Sequence, residues 1–554
     1  MLRFASFKGI APRINPSKLP EGGSQEALNC FLATGALRPW NTAAAVSSTG
    51  ISGTPKFIYK HPVHGWYFDP ASGDMIPGPV SADQWGRTYF FSDATGPTRA
   101  PVYYTSDDYN TSYLLGVPAP DAAPVAAAAG TAVPDPPLET SIESRSYVVT
   151  YLSKYGEEGP PSPASTIINV APGQSVNLSS LPIGPTGNYN ITQKRIYRTN
   201  TGSDGATAFQ LVATIAVATT TYADTVASVD LGLVLPSVEW LPPVATLHGA
   251  VELPGGIIAA FSGKDVYRCV PYMPHAWPVS SRVTMADNVV ALGGYGNSLL
   301  VTTEGLPCVI TGDNPERLEK GTACVSKRSF VDMGYSCIYA GPAGLVLAGA
   351  GDIKLLTEVL FTQEEWLKFC DPTTIHAYQY DGKYVAFHST GAFVLDPDNL
   401  DLTPINVSAN AGFFDKKTGE LFLCSGSTTT NWHKGSGKLS YAWRSKVEIL
   451  PRPISYSFAQ VIADDYTSLT LEIYSKSGLA LDAGKIAKLS TIYVPKGFTV
   501  AADGTLKSTH VVTSGEPFRL PAGLLSERWE IRISGTSTVT AVYLATSVEE
   551  LASV

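Results

Sequence analysis

Residues 469–475 read LTLEIYS, and residues 526–535 read SERWEIRISG. In the first run Leu469, Leu471 and Ile473 alternate with Thr470, Glu472 and Tyr474. In the second, Trp529, Ile531 and Ile533 alternate with Glu530, Arg532 and Ser534. Successive side chains of a strand point to opposite faces, so a period of two marks strands with one dry and one wet face. The texture continues on both sides, and residues 438–554 are read as a C-terminal β-domain. Trp529, Ile531 and Ile533 are expected inside it, with Glu530, Arg532 and Ser534 in water. Arg519, Trp529 and Arg532 are assigned to packing rather than to catalysis.

The rest of the chain agrees. Charged residues make up only 16% of the 554 positions, while Gly (50), Pro (41) and Tyr (27) are plentiful. That balance suits short strands joined by turns and disfavours a helical protein. The length calls for roughly two to four domains. The net charge of −9 is spread along the chain. Its basic pairs, Lys194-Arg195, Lys327-Arg328 and Lys416-Lys417, are isolated, so no footprint for tight nucleic-acid binding is visible.

Seven cysteines (Cys30, Cys269, Cys308, Cys324, Cys337, Cys370 and Cys424) lack CxxC spacing. Buried thiols in a reducing compartment are the expectation, not a zinc site or a disulfide framework. The opening MLRFASFKGIAPRINPSKLP has no apolar core of a signal peptide, and no apolar run approaches a membrane span. Folding in a cytoplasm without stable membrane insertion is expected.

Residues 1–116 are read as an N-terminal segment followed by short strands such as PKFIYKHP, GWYFDP, RTYFFSD and PVYYTSD. Residues 117–139, VPAPDAAPVAAAAGTAVPDPPLE, form an Ala/Pro-rich linker, extended because proline recurs too often for a helix. Residues 140–232 hold about seven strand candidates, the count of an immunoglobulin- or fibronectin-like sandwich. Residues 233–437 return to serial short strands with Gly-rich turns, about every 40 to 50 residues, which favours divergent propeller blades. The clearest helix is FTQEEWLKF, where Thr362 and Glu365 form a capping box. The fold class is therefore all-β: a β-propeller-like core, an inserted sandwich and the C-terminal β-domain.

No catalytic, cofactor or metal site emerges. His61 and His64 flank a turn and are read as loop residues. The neighbours Asp107-Asp108, Asp464-Asp465 and Glu549-Glu550 face opposite sides of any strand they join. GGYGNS (293–298) and GAGDIK (349–354) lack the GK[ST] ending of a phosphate loop and are read as hairpin turns. DPDNLD (396–401) lacks the glycine and distal glutamate of a calcium loop. Trp66, Tyr67, Trp85, Tyr103 and Tyr104 offer a sugar-stacking surface if exposed, though core packing is the commoner use of such residues.

Two regions carry a family resemblance. Residues 7–40, FKGIAPRINPSKLPEGGSQEALNCFLATGALRPW, combine a Leu-Pro phrase, an Ala-x-Asn-Cys strand and a Gly-x-Leu-x-Pro turn. The far end has YAWRSKVEILPRP (441–453) and PFRLPAGLLSERWEIRISGTSTVTAVYLATSVEEL (517–551). Together they resemble the tail nozzle, or tail-hub structural protein, of tailed bacteriophages, above all short-tailed ones. YVVTYLSKYGEEGPPSPAS (147–165), KRIYRT (194–199) and YADT (222–225) look like the fibronectin-like insertion of such a propeller.

The resemblance implies a non-enzymatic virion protein of the tail, assembled in the host cytoplasm. It would form a homo-oligomeric, hexameric ring that docks on the adaptor ring under the portal, beside tail fibres or spikes. Genomic double-stranded DNA would pass through its lumen with weak, non-specific contact, retained at first and guided later during ejection. No cofactor is implied. The alternative from another class is a carbohydrate-binding or carbohydrate-active propeller acting on a surface glycan.

Overall fold

The computed structural model describes residues 1–47, 49–80, 83–94, 100–129, 142–171, 174–201, 207–296, 298–349, 352–475, 496–500, 505–521 and 524–552. The chain forms two compact units, Met1–Pro70 with Leu318–Val554, and Ala71–Arg317. The first of these units joins segments from both ends of the chain.

The fold is all-β and propeller-like, built from four-stranded antiparallel meanders. In the Ala71–Arg317 unit one sheet comprises Gly73–Pro77, Thr88–Ser92, Val102–Tyr104 and Tyr113–Leu114. Two more run consecutively from His248–Leu253 to Val283–Thr284 and from Val289–Tyr295 to Asn314–Arg317. The other unit adds sheets from Val331–Asp332 to Asp352–Leu355 and from His376–Tyr380 to Asp401–Ile405. A fifth meander, Ala411–Asp415, Glu420–Ser425 and Thr428–Asn431, takes its fourth strand, Ala44–Ala45, from the start of the chain. Inner strands such as Lys383–His388 and Gly391–Asp396 are buried on both faces, hence their near-continuous apolar text.

Helix Gln363–Phe369 has the expected capping box. Its Trp366 is fully buried and donates its indole N–H to the Gly341 carbonyl at 3.2 Å.

The insertion has three small sheets: Val125–Ala129 with Ser175–Ser179 and Tyr222–Asp224; Tyr147–Ser153 with Ile191–Thr201 and Thr207–Ala216; and Glu143–Arg145 with Ile168–Val170. Part of the expected linker is thus a strand. The prolines pause after Pro124, every N–H of Val125–Ala129 is available to a ladder, and these residues pair with Ser179–Ser175. Residues 130–139 of that linker lie outside the described residues. Tyr147–Ser153 is buried on both faces instead of alternating, because Leu235 covers Val148 and Tyr197 on the far side. The chain enters and leaves the insertion at one place. A Cβ on Gly116 would lie 2.7 Å from the Pro242 Cα, and its φ of +93° also selects glycine.

The ends of the chain build two sheets. Leu2–Phe4 pairs with Val539–Ala545, which pairs with Phe458–Ala463. The larger sheet orders Ser24–Leu28, Tyr441–Ser445, Ser526–Gly535, Leu469–Ser475 and Leu506–Val511. Trp529, Ile531 and Ile533 are buried as expected, at 1%, 0% and 0% exposure. The opposite face departs from expectation: Glu530 and Glu472 are each only 8% exposed.

Candidate functional site

That second face is a lattice of fixed charges. The register sets Glu26 opposite Arg444, Arg444 opposite Arg532, and Arg532 opposite Glu472. Arg532 donates to Glu26 at 2.7 and 2.9 Å and to Glu472 at 3.2 Å. Glu472 also accepts from the Tyr474 hydroxyl at 2.9 Å and pairs with Lys507. One row along, Glu530 accepts from Arg444 and from the Gln25 amide, each at 2.8 Å. The Arg444 guanidinium lies 4.4 Å from the Tyr474 ring centroid. Burial works to raise the Glu472 carboxyl, but hydrogen bonds from Lys507 and Tyr474 and the charges of Lys507 and Arg532 outweigh it and hold it below the usual carboxylate range. The hydrogen bond to Glu26 holds Arg532 above its ordinary value.

Glu530 and Glu472 are therefore shielded not by apolar cover but by the groups that pair with them, Arg444 and Gln25 on the first and Lys507, Tyr474 and Arg532 on the second. Three carboxylates and three cations cancel within the lattice, and every partner limits the rotamers of the next. Such a face holds its charges in fixed orientations. It carries no nucleophile.

The motif residues of residues 7–40 sit at junctions beside this sheet. Asn29 takes a left-handed φ of +55° and is 1% exposed. Its side chain donates to the Ser440 carbonyl at 2.8 Å and accepts from the Asn406 N–H at 3.0 Å. The Gly9 N–H donates to Asp401 at 2.9 Å, and a Cβ on Gly9 would meet the Leu402 nitrogen at 2.4 Å. Leu37 exchanges backbone hydrogen bonds with Val539 at 2.9 Å each way.

The other residues considered from sequence serve turns and cores. His61 Nδ1 accepts the N–H groups of Val63 and His64, and its ring stacks 4.9 Å from that of His64. Burial, then the His64 charge, lowers His61 to about 4. Asp108 accepts turn N–H groups from Asn110 and Thr111. Asp464 and Asp465 receive Thr538 and Ser537, with Lys438 nearby, and Glu550 receives Thr546. In DPDNLD, Asp396 accepts from Asp398 and Asn399 and Leu400 is left-handed, a turn. GGYGNS spans a hairpin with Tyr295 paired to Ser298, and Gly349 pairs with Asp352 across the GAGDIK turn; residues 297 and 350–351 lie outside the described residues. Tyr103 and Tyr104 are buried at 2% and 8%, and Trp66 packs its edge on Phe422 at 5.1 Å. Tyr103 and Tyr104 are thus core residues, while Trp66, Tyr67 and Trp85 are half-buried.

Among the described residues, no three His, Cys, Asp or Glu side chains gather as a metal site. No disulfide forms, and burial raises the thiols of Cys269, Cys337 and Cys370, for instance to about 11 at Cys269. No helix is long and apolar enough to cross a membrane among the described residues.

Sequence reasoning missed the buried ionic centres of the insertion. Arg198, with 0% exposure, pairs with Asp224 at 2.6 Å, and Asp224 also accepts from Tyr147 at 2.8 Å. Lys194, one of the isolated basic pairs, is buried and donates to the carbonyls of Pro182, Val217 and Thr219. Burial lowers it to about 8. Period-two reading finds faces but not which charge meets which across 26 residues of separation. An open groove of about 800 Å³ beside Arg198 is lined by Glu143, Asn200, Gln210 and Ser228. These pair among themselves, Asn200 with Gln210 at 2.6 Å and Ser228 with Glu143 at 2.8 Å.

No family model matches the chain, and no curated protein matches it. Among solved structures, a catalytically inactive virginiamycin B lyase from Staphylococcus aureus with quinupristin is similar at 10% identity and TM-score 0.29, over 70% of this chain and 97% of that one. The Neurospora crassa Pan2 WD40 domain follows at 8% identity and TM-score 0.25, covering 48% and 86%. A gluconolactonase from Xanthomonas campestris has 10% identity and TM-score 0.24, covering 47% and 82%. None of their activities is transferred to this chain, and the fold assignment rests on the sheets themselves.

Proposed function

We propose that the protein is a structural component of a bacteriophage tail, a nozzle or hub protein that oligomerises into a ring around the DNA channel. It retains the packaged genome and guides it on ejection. One observation carries this reading: the two separated stretches that resemble tail proteins are hydrogen-bonded to each other. Ser24–Leu28 pairs with Tyr441–Ser445, and Leu37 with Val539. The conspicuous positions of the motif, Gly9, Asn29 and Leu37, are the joints of that body. Its charged face supplies a docking surface of the kind a platform needs. The scattered basic residues favour a lumen that lets phosphates pass, since each neutralised phosphate adds salt-dependent affinity. The test is image reconstruction of tailed virions whose genome encodes the chain, paired with a low-salt titration of the purified protein against duplex DNA.

A further inference from the structure

The turn that follows strand Tyr147–Ser153 leaves the sandwich and enters the core beneath the meander sheets of its own unit. Tyr155 packs against the cluster that contains Tyr89, Tyr103 and Trp277, with its ring 4.7 Å from Trp85. Two residues on, Glu157 pairs with the guanidinium of Arg87, which Asp83 holds from the other side at 2.8 Å. Arg87 is 8% exposed, and the rings of Trp85 and Tyr155 lie 5.4 and 5.6 Å from it. The fourth member is His275, also buried, with Nδ1 3.6 Å from the Glu157 carboxylate. Its Nε2 is buried without a hydrogen-bond partner, and the edge of Trp240 closes over its ring at 5.9 Å.

Arg87 belongs to the sheet and Glu157 to the sandwich, so their pair is the electrostatic tie between the two. We propose that Asp83, Arg87, Glu157 and His275 form a latch that holds the sandwich on its carrying sheets near neutral pH and loosens on acidification. The inference stands apart from any assignment to a tail.

An imidazolium at position 275 would sit out of water and face the Arg87 guanidinium. Glu157, Glu158 and, beyond Arg87, Asp83 oppose that cost, while the phenols of Tyr89 and Tyr103 are neutral. Burial nevertheless dominates and holds His275 below its ordinary range, Glu157 and Glu158 offsetting it in part and Arg87 adding to it. A group with a depressed folded value is protonated first in the opened state. The closed state therefore loses stability as the pH falls below about 6.5, and continues to lose it until the folded value is reached. Asp83 is also held low: burial would raise it, and the hydrogen bond and charge of Arg87 prevail. That partner stays with it when the sandwich lifts, so the pH response of opening follows His275 rather than Asp83.

Hydrogen–deuterium exchange of the full chain tests the latch, read at Tyr147–Glu158 and Thr88–Ser92 and corrected for intrinsic rates. Wild type should open up to about tenfold more often at pH 5.5 than at pH 7.5, the change expected when an imidazole of ordinary value about 6.5 takes up its proton only in the opened state. His275→Gln should keep slow exchange and lose most of the pH response. An unchanged response in that variant, or none in wild type, overturns the proposal. Should that variant fail to fold, Glu157→Gln removes the tie at nearly constant size. The sandwich turn should then exchange fast at both pH values, and slow exchange at pH 7.5 would overturn the proposal equally.

Discussion

The Trp443 indole N–H donates to the Lys8 carbonyl at 3.1 Å, across a separation of 435 residues. Phe7 meets the same ring edge-on at 4.9 Å. The C-terminal part of the chain is thus locked onto its N-terminal part. Trp443→Phe should preserve most of the packing and leave the Lys8 carbonyl without its donor. A loss of about 1 to 3 kcal/mol in denaturant-induced unfolding is expected.

Trp529 is 1% exposed, meets Tyr456 edge-on at 5.1 Å and donates its N–H to the Ser526 carbonyl at 3.0 Å. Trp529→Ala should cost about 3 to 5 kcal/mol through the cavity it leaves. Urea unfolding monitored by circular dichroism measures it, and a loss below about 1 kcal/mol would show that the site collapses around the deletion.

The charge lattice should make the terminal sheets acid-sensitive. Glu472 has a depressed folded value, so its contribution is fully present above the unfolded value of about 4.3 and is lost as the pH falls through the folded one. Glu472→Gln should flatten stability between pH 5 and 3 relative to wild type, as read by thermal melts. Arg532→Ala leaves Glu26 and Glu472 short of a partner at a site about a quarter exposed. Its cost should be about 1 to 3 kcal/mol, less than for a fully buried pair.

Arg198 and Asp224 are both fully buried. Asp224→Asn strands the guanidinium without its counter-charge, so the insertion should lose about 3 to 5 kcal/mol. Replacing the pair together by Arg198→Met and Asp224→Leu should recover much of it, a comparison made by a double-mutant cycle.

Excising Val117–Leu241 and bridging the ends with Gly/Ser is sterically easy, because Gly116 and Pro242 touch. The cut nevertheless removes Tyr155 and Glu157 from beneath the sheets and leaves Arg87 with Asp83 alone. The shortened chain should fold with reduced stability, read as a melting temperature below that of the full chain.

Much of the fold was legible from residue alternation and turn chemistry. Trp529, Ile531 and Ile533 share the dry face because a strand allows no other arrangement. Thr362 and Glu365 signalled their helix through a contact three residues apart. What stayed hidden depends on pairing at long range. Nothing local says that Glu530 is shielded by Arg444, or that Arg87 waits for Glu157 seventy residues later. The strand Val125–Ala129 was masked by the prolines around it, although the pause after Pro124 was visible. The division of the meanders into two units leaves no compositional trace, since Pro70 lies in a bend and Arg317 ends a strand, Asn314–Arg317, like those around it.

Reconstruction of tailed virions encoding this chain tests the central claim most directly. The account predicts copies of the chain in a closed ring on the tail axis, enclosing DNA, with the purified protein binding duplex weakly and with a shallow salt dependence. Absence of the chain from the particles, or tight duplex binding with a steep salt slope, would contradict it.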